Sequence, residues 1–388
     1  MLATSVLGLF CISVGASALG GALGMASGIL IVPLLTIVAG VDVHLAIGAS
    51  IVSVIACSCG SAAPLLRERL TNVRLAIVLE TATTLGAASG VLVSGMVPVW
   101  VLYAIFAAVL LISAWQMLMP RRVAAIPAGG ASAAGWARRL DAVYPDRNLG
   151  GDVAYRVDRL SMGLGLMYGA GLLSALLGIG SGVLKIPAMD TALRLPIKVS
   201  SATSNFMIGV TAAASAGGYF MRGPIVPEIA GPVALGFSCR RNSGSAAAGV
   251  RHAWQASPDL RRCSACPGSP DGARGGWRSR RALSMTILTS GAPDRLNNRL
   301  ARLLVLGTWM SCGLIMIGMA LPALGTSPRS VSADFVSTGI VLLIALPTMR
   351  VATMAVWFLF NDDRDFALIA ALVLAIIVAS TLLGAGVA

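Results

Sequence analysis

Charge is scarce in this sequence. Of its 388 residues, 12% are Asp, Glu, Lys or Arg, about half the roughly 25% of a soluble globular chain. Histidine occurs twice and aromatic residues make up 5%. No group of carboxylates, or of Cys and His at metal-ligand spacing, falls within the apolar stretches, so hydrolytic and metal chemistry lack their parts. Residues 1 to 41 carry no charge at all. What is abundant is apolar: 56% hydrophobic residues and a mean hydropathy of +0.84 exclude a cytosolic enzyme and imply an all-α, polytopic integral membrane protein.

The net charge of +13 is unevenly placed. Residues 1 to 120 sum to zero, and residues 121 to 159 carry seven Arg against four Asp. The 48 residues from 237 to 284 carry nine Arg against two Asp. Apolar runs cover 45 to 66, 73 to 95, 97 to 118, 160 to 193 and 199 to 221, each long enough to cross a bilayer. As one helix, residues 1 to 41 would run about 60 Å, twice the hydrocarbon core, so a first span followed by a broken or re-entrant half-helix is expected, with no cleaved signal peptide. The Arg-bearing connections 67 to 74, 121 to 159 and Arg222 are separated by two spans each and are expected on one, cytoplasmic, side together with the N-terminus.

Gly24-Met25-Ala26-Ser27-Gly28-Ile29-Leu30-Ile31-Val32-Pro33 repeats as Gly178-Ile179-Gly180-Ser181-Gly182-Val183-Leu184-Lys185-Ile186-Pro187, both reading G-x-x-S-G-x-L-x-x-P. The step from position 28 to position 182 is 154 residues, and without a gap it also pairs Ser50 with Ser204. One such motif is the signature of close helix packing. Two, at matching places in two halves, interrupt apolar helices where opened backbone must line a polar cavity, the pattern of a transporter binding site with half-helix N-termini aimed at an anion. The repeats are expected to run parallel rather than inverted. Lys185 lies inside the second motif, and a mid-span charge costs about 2.5 to 3.5 kcal/mol. It either faces a cavity or an anion, or snorkels from a helix end. Glu80 reads as an interface charge or a proton-coupling group, His44 as a loop residue, and Cys57 and Cys59 as small packing residues.

The two motifs, the continuation Lys185-Ile186-Pro187 and the stretch Ala202-Thr203-Ser204-Asn205-Phe206-Met207-Ile208-Gly209-Val210-Thr211-Ala212-Ala213 resemble the TauE/SafE sulfite exporter family over residues 1 to about 236. The resemblance implies two four-span halves in the bacterial inner (plasma) membrane and export of a small inorganic or organic anion such as sulfite, a sulfonate or a related organic acid. Family members often carry glycines where this chain has Ala26-Ser27-Gly28 and Gly180-Ser181-Gly182. The expected substrate-binding residues are Ser27, Gly28, Pro33, Ser50, Ser181, Gly182, Lys185, Pro187, Ser204 and Asn205. Expected partners are the anion, the lipid bilayer and a possible second copy, with no cofactor, metal or nucleic acid. A transport-inactive fusion product, or a membrane assembly or regulatory subunit, is the alternative.

Residues 285 to 388 are apolar again, with runs at 303 to 323, 336 to 360 and 366 to 387. Leu346-Pro347-Thr348-Met349-Arg350-Val351 and the acidic turn Asn361-Asp362-Asp363-Arg364-Asp365 resemble short three-span membrane proteins of a domain-of-unknown-function family often encoded beside such exporters. Arg350 lies about 15 Å from the end of its span, which suggests an internal partner or a functional role. Between the modules, residues 237 to 284 contain no Lys, Glu, Ile or Met. That is how G+C-rich DNA reads in a wrong frame. A one-nucleotide forward shift lets Ala246 to Ala248 become Leu, Trp254 become Gly and Cys266 become Val or Ala, restoring room for two apolar helices. A frameshift joining two genes, which leaves a disordered segment, therefore competes with a genuine cytoplasmic insert bearing Cys239, His252, Cys263 and Cys266 as a zinc site, or its arginines as a nucleic-acid or lipid-headgroup patch. The expected organisation is a first repeat (1–120), a basic cytoplasmic linker (121–159), a truncated second repeat (160–236), the odd segment (237–284) and a three-span module (285–388).

Overall fold

The computed structural model describes residues 6–22, 28–118, 139–146, 151–242, 292–323 and 329–386. It is a helical bundle with one small hairpin. The first half comprises α1 (Val6–Ala22), α2 (Gly28–Ile37), α3 (Val43–Arg67), α4 (Val73–Ser94) and α5 (Val99–Leu118). The second comprises α6 (Leu160–Leu177), α7 (Gly182–Ala192), α8 (Ile197–Met221) and α9 (Pro227–Asn242). The 154-residue step read from the motifs carries the first residues of α1, α2, α3 and α4 onto those of α6, α7, α8 and α9 without exception. On that step the counterpart of α5 would occupy 253–272, within the odd segment and outside the described residues.

Local chemistry sets the helix ends. Asp42 caps α3 by accepting from the His44 backbone N–H at 2.9 Å, which puts His44 in the first turn of α3 and not in a loop. Asn72 caps α4 through the Leu75 N–H at 3.1 Å. α6 ends at Gly178, and both Gly178 and Gly180 have φ of 65°, a left-handed geometry that glycine adopts at no steric cost. The second motif is thus a break between α6 and α7, and the first separates α1 from α2.

The two halves run in opposite directions, contrary to the parallel arrangement expected from the sequence. Asn72, just beyond the end of α3, receives a contact from the start of α8, its N–H donating to Thr203 Oγ1 at 3.3 Å. At the other end Gly48, near the start of α3, backs onto the Pro224 carbonyl just beyond α8. α6 and α7 form a re-entrant pair: the Asp158 N–H donates to the Leu193 carbonyl at 3.4 Å, and Arg194 lies 3.9 Å from Asp158. A returning pair followed by the three crossings α3, α4 and α5 is an odd number, so the second half starts on the opposite side and is inverted. Arg222, at the end of α8, donates to the Val91 carbonyl at 2.7 Å, at the far end of α4 from Arg74. The three Arg-bearing connections therefore do not share one side. The halves interlock: α4 packs on α6 and α8, while its counterpart α9 packs on α1 and α3.

Part of the basic linker is ordered as an antiparallel hairpin, β1 (Ala142–Asp146) with β2 (Gly151–Tyr155), Tyr144 facing Val153. Asn72 fastens it by donating to the Leu140 carbonyl at 2.8 Å and the Tyr155 hydroxyl at 2.9 Å. The C-terminal module is three helices, α10 (Ala292–Ala323), α11 (Arg329–Phe360) and α12 (Arg364–Gly386). α10 packs on α3, α12 on α4 and α8, and α11 on α3, α8 and α9. Among the described residues six helices are long and apolar enough to span a membrane, α3, α4, α6 and α10 to α12. α8 is not among them, yet every residue from Phe206 to Tyr219 is buried. Its environment is protein and not lipid, so small and hydroxylated residues are tolerated.

Candidate functional site

The two glycine motifs meet where α3 crosses α8. Ser50 of α3 donates to the Gly178 carbonyl at 2.7 Å and lies 3.4 Å from that of Gly28, so one hydroxyl touches both breaks. Gly28, the first residue of α2, packs so closely on Val54 and the Ile179 carbonyl that a Cβ would stand 2.5 and 2.6 Å from them. Gly180 sits between Val54 of α3 and Ile208 of α8. Carbonyls left without helical partners by the break are thereby partly satisfied from α3.

Ser181 and Gly182 form the N-terminus of α7, with Ser181 at the cap position making no capping bond. Its hydroxyl is buried without a partner among the described residues, as is that of Ser204 on α8, one turn from Ile208. An unpaired hydroxyl at the positive end of a helix, as Ser181 presents, can donate to an anion. The symmetry relation makes Ser204 the counterpart of Ser50, whose hydroxyl is occupied.

Lys185 lies one turn into α7 and is fully buried, which rules out snorkelling. Its Nζ donates to Thr211 Oγ1 at 2.6 Å, and Thr211 Oγ1 donates to Glu80 Oε1 at 2.6 Å. A hydroxyl on α8 thus links a cation on α7 to a carboxylate on α4. Glu80 Oε2 has no partner among the described residues and adjoins a cavity with room for about one water molecule. Arg350 of α11 is also fully buried. Its Nη2 donates to the Phe206 carbonyl of α8, and its guanidinium lies 3.9 Å from the centre of the Phe206 ring, a cation–π contact.

The remaining expected residues are distributed otherwise. Pro33 lies inside α2 and lines an apolar crevice of about 180 Å³ with Ile47, Phe106 and Leu177, away from the unpaired hydroxyls. Pro187 lies inside α7. Asn205 contributes its carbonyl, which accepts from Ser58 Oγ at 2.7 Å. Ser27 lies outside the described residues, as do His252, Cys263 and Cys266. Thr211, and the joining of Glu80 to Lys185, were not anticipated. The available signal was two lone opposite charges on different spans. Among the described residues no group of three or more metal-ligating side chains occurs.

Comparison with known proteins gives two matches along the chain. A family model described as Sulfite exporter TauE/SafE matches residues 9–251, running beyond the break read at 236. A second, Protein of unknown function (DUF1634), matches residues 328–382, so pieces of both expected families are joined in one chain. No curated protein and no solved structure matches.

Proposed function

The chain belongs to the sulfite exporter TauE/SafE family, a family of multi-pass membrane transporters, and on that premise we propose that it carries small anions such as sulfite, sulfonates or related organic acids outward across the bacterial plasma membrane. The anion binds at the two broken motifs, accepting from Ser181, Ser204 and the backbone N–H groups that open α7 at Gly182. Lys185 supplies counter-charge from one turn deeper. Ser50 and Gly28 hold the two breaks together, and inversion of the halves allows alternating access by rocking one half against the other. The observation that carries this reading is the buried, unpartnered hydroxyl of Ser181 at the N-terminus of α7, with a second such hydroxyl, Ser204, on α8 one turn from the Ile208 that packs on Gly180.

With the arginine-rich end of the bundle in the cytoplasm, the connections 67 to 74 and 121 to 159 stay on the side expected from the sequence, while Arg222 and the N-terminus move to the opposite one. α3 then runs inward, and the start of α1 faces outside by the same two-fold relation.

The test is efflux of labelled sulfite from proteoliposomes holding the full-length protein. Loss of a hydrogen bond to a charged group is worth about 1.5 to 3 kcal/mol. Ser181→Ala and Ser204→Ala should therefore each weaken the apparent affinity for sulfite by about 10- to 100-fold, with normal expression. Wild-type affinity in both variants would place the anion elsewhere.

A second reading is favoured by one observation: residues 237 to 284 contain no Lys, Glu, Ile or Met, and the 154-residue step places the counterpart of α5 within them. On this reading the chain is a transport-inactive product of a frameshift, or an assembly subunit. Resequencing the locus, with intact-mass measurement of the purified protein, separates them. A confirmed frame and a full-length mass remove the frameshift.

A further inference from the structure

Among the described residues three charged side chains are buried, Glu80 on α4, Lys185 on α7 and Arg350 on α11. Two cations and one carboxylate leave a net charge of +1 inside the bundle. Lys185 reaches Glu80 through Thr211. Phe206, whose carbonyl and ring hold Arg350, lines the same small cavity as Glu80, which places Arg350 beside the Glu80–Lys185 pair. Arg350 keeps Nε and Nη1 without acceptors among the described residues. A buried, uncompensated charge is costly unless a counter-ion joins it.

The third member of this cluster comes from the other module, and the way that module is seated is specific. The Ser380 hydroxyl of α12 donates to the Ala214 carbonyl of α8 at 2.7 Å. Gly217 and Gly218 of α8 leave space that Thr381 and Gly384 fill. At the end of the bundle Asp363 pairs with Arg74 at 2.6 Å, and Asp365 with Arg139 at 2.9 Å. Val351, Met354 and Val373 of the module close the small cavity beside Glu80.

We infer that the C-terminal module is a working subunit of the transport core, supplying Arg350 as the charge that leaves the Glu80–Lys185 cluster at +1 and so selects a monovalent anion. This rests on the anion-transport reading above and names the charge class of its substrate. With Arg350 present, one negative charge neutralises the core. Without it, Lys185 and Glu80 cancel and the anion finds no counter-charge. Arg350 acts here through the field of the cluster, as a positioning residue, with no requirement that it touch the anion.

The experiment uses the full chain in proteoliposomes with methanesulfonate as the monovalent probe. Arg350→Met, which sets the cluster to zero, should raise KM by about tenfold or more. Arg350→Met combined with Glu80→Gln restores +1 and should return KM to within about threefold of wild type, and Arg350→Lys should stay within the same range. A merely structural arginine gives the opposite ranking, with the double variant worse than the single. Arg350→Met indistinguishable from wild type, or a double variant no better than Arg350→Met, overturns the inference while leaving transport intact. If the wild-type protein carries no methanesulfonate or sulfite and neither raises its unfolding temperature, the transport reading falls, and this inference with it.

Discussion

Thr211 is a single hydroxyl on which two buried charges depend. Its Oγ1 accepts from Lys185 and donates to Glu80, and the Met207 carbonyl one turn back lies 3.2 Å away as the alternative acceptor. Replacing it with valine keeps shape and leaves a buried ammonium and carboxylate without their bridge. Thr211→Val should destabilise the protein by about 1 to 3 kcal/mol, read as a lowered unfolding midpoint in detergent, and Thr211→Ser should recover most of the loss. An unchanged midpoint for the valine variant would mean the charges meet by another route. Lys185 and Glu80 each stand out in the sequence as lone charges within apolar runs. Their partnership does not, because α8 is rich in small hydroxylated residues, and nothing in residue order distinguishes the Thr that bridges from those that bond their own helix.

At the scale of elements, the repeated motif fixed more than the site. Its 154-residue step marks the start of four helices in each half, because the same breaks, caps and crossings recur with the same chain lengths between them. Direction was not legible. A repeat sets helix lengths but not the side of the membrane, and that depends on whether the broken pair crosses or returns, which only contacts such as Asp158 with Leu193 reveal. The hairpin within the basic linker was also hidden, since its strands are short and its order depends on Asn72. Burial pushes the Tyr155 phenol well above its ordinary value of 10, with the Asn72 bond opposing this in part. The folded state therefore holds this proton more tightly than the unfolded chain, so stability is unaffected below about pH 10 and falls as pH rises beyond it. Tyr155→Phe should flatten that alkaline decline, and protease sensitivity of the hairpin between pH 9 and 11 is the measurement. An equally steep decline in the phenylalanine variant would assign it to other groups.

For the whole molecule, the ion pairs of Asp363 with Arg74 and Asp365 with Arg139 put the turn between α11 and α12 at the arginine-rich end. α12 then runs away from that end, and Ser380 meets Ala214 further along α8. A reporter fused after Ala388 should therefore be outside: alkaline phosphatase active, green fluorescent protein dark. The opposite pattern would turn the bundle over or break the positive-inside assignment. The same geometry starts α10 at the arginine-rich end, with Arg295, Arg299 and Arg302 in its first turns. α9, running inward, ends near Arg240 and Arg241.

The envelopment of α8 bears on how the protein is made. α8, buried against protein from Phe206 to Tyr219, leaves the ribosome after α3 and α4, while the helices that cover Phe206 and Ala214 are still untranslated. Until the ribosome has delivered α11 and α12, that flank is unfinished. Nascent chains stopped before Arg350 should therefore be degraded by membrane proteases faster than completed ones, making the last three helices a checkpoint on the first nine.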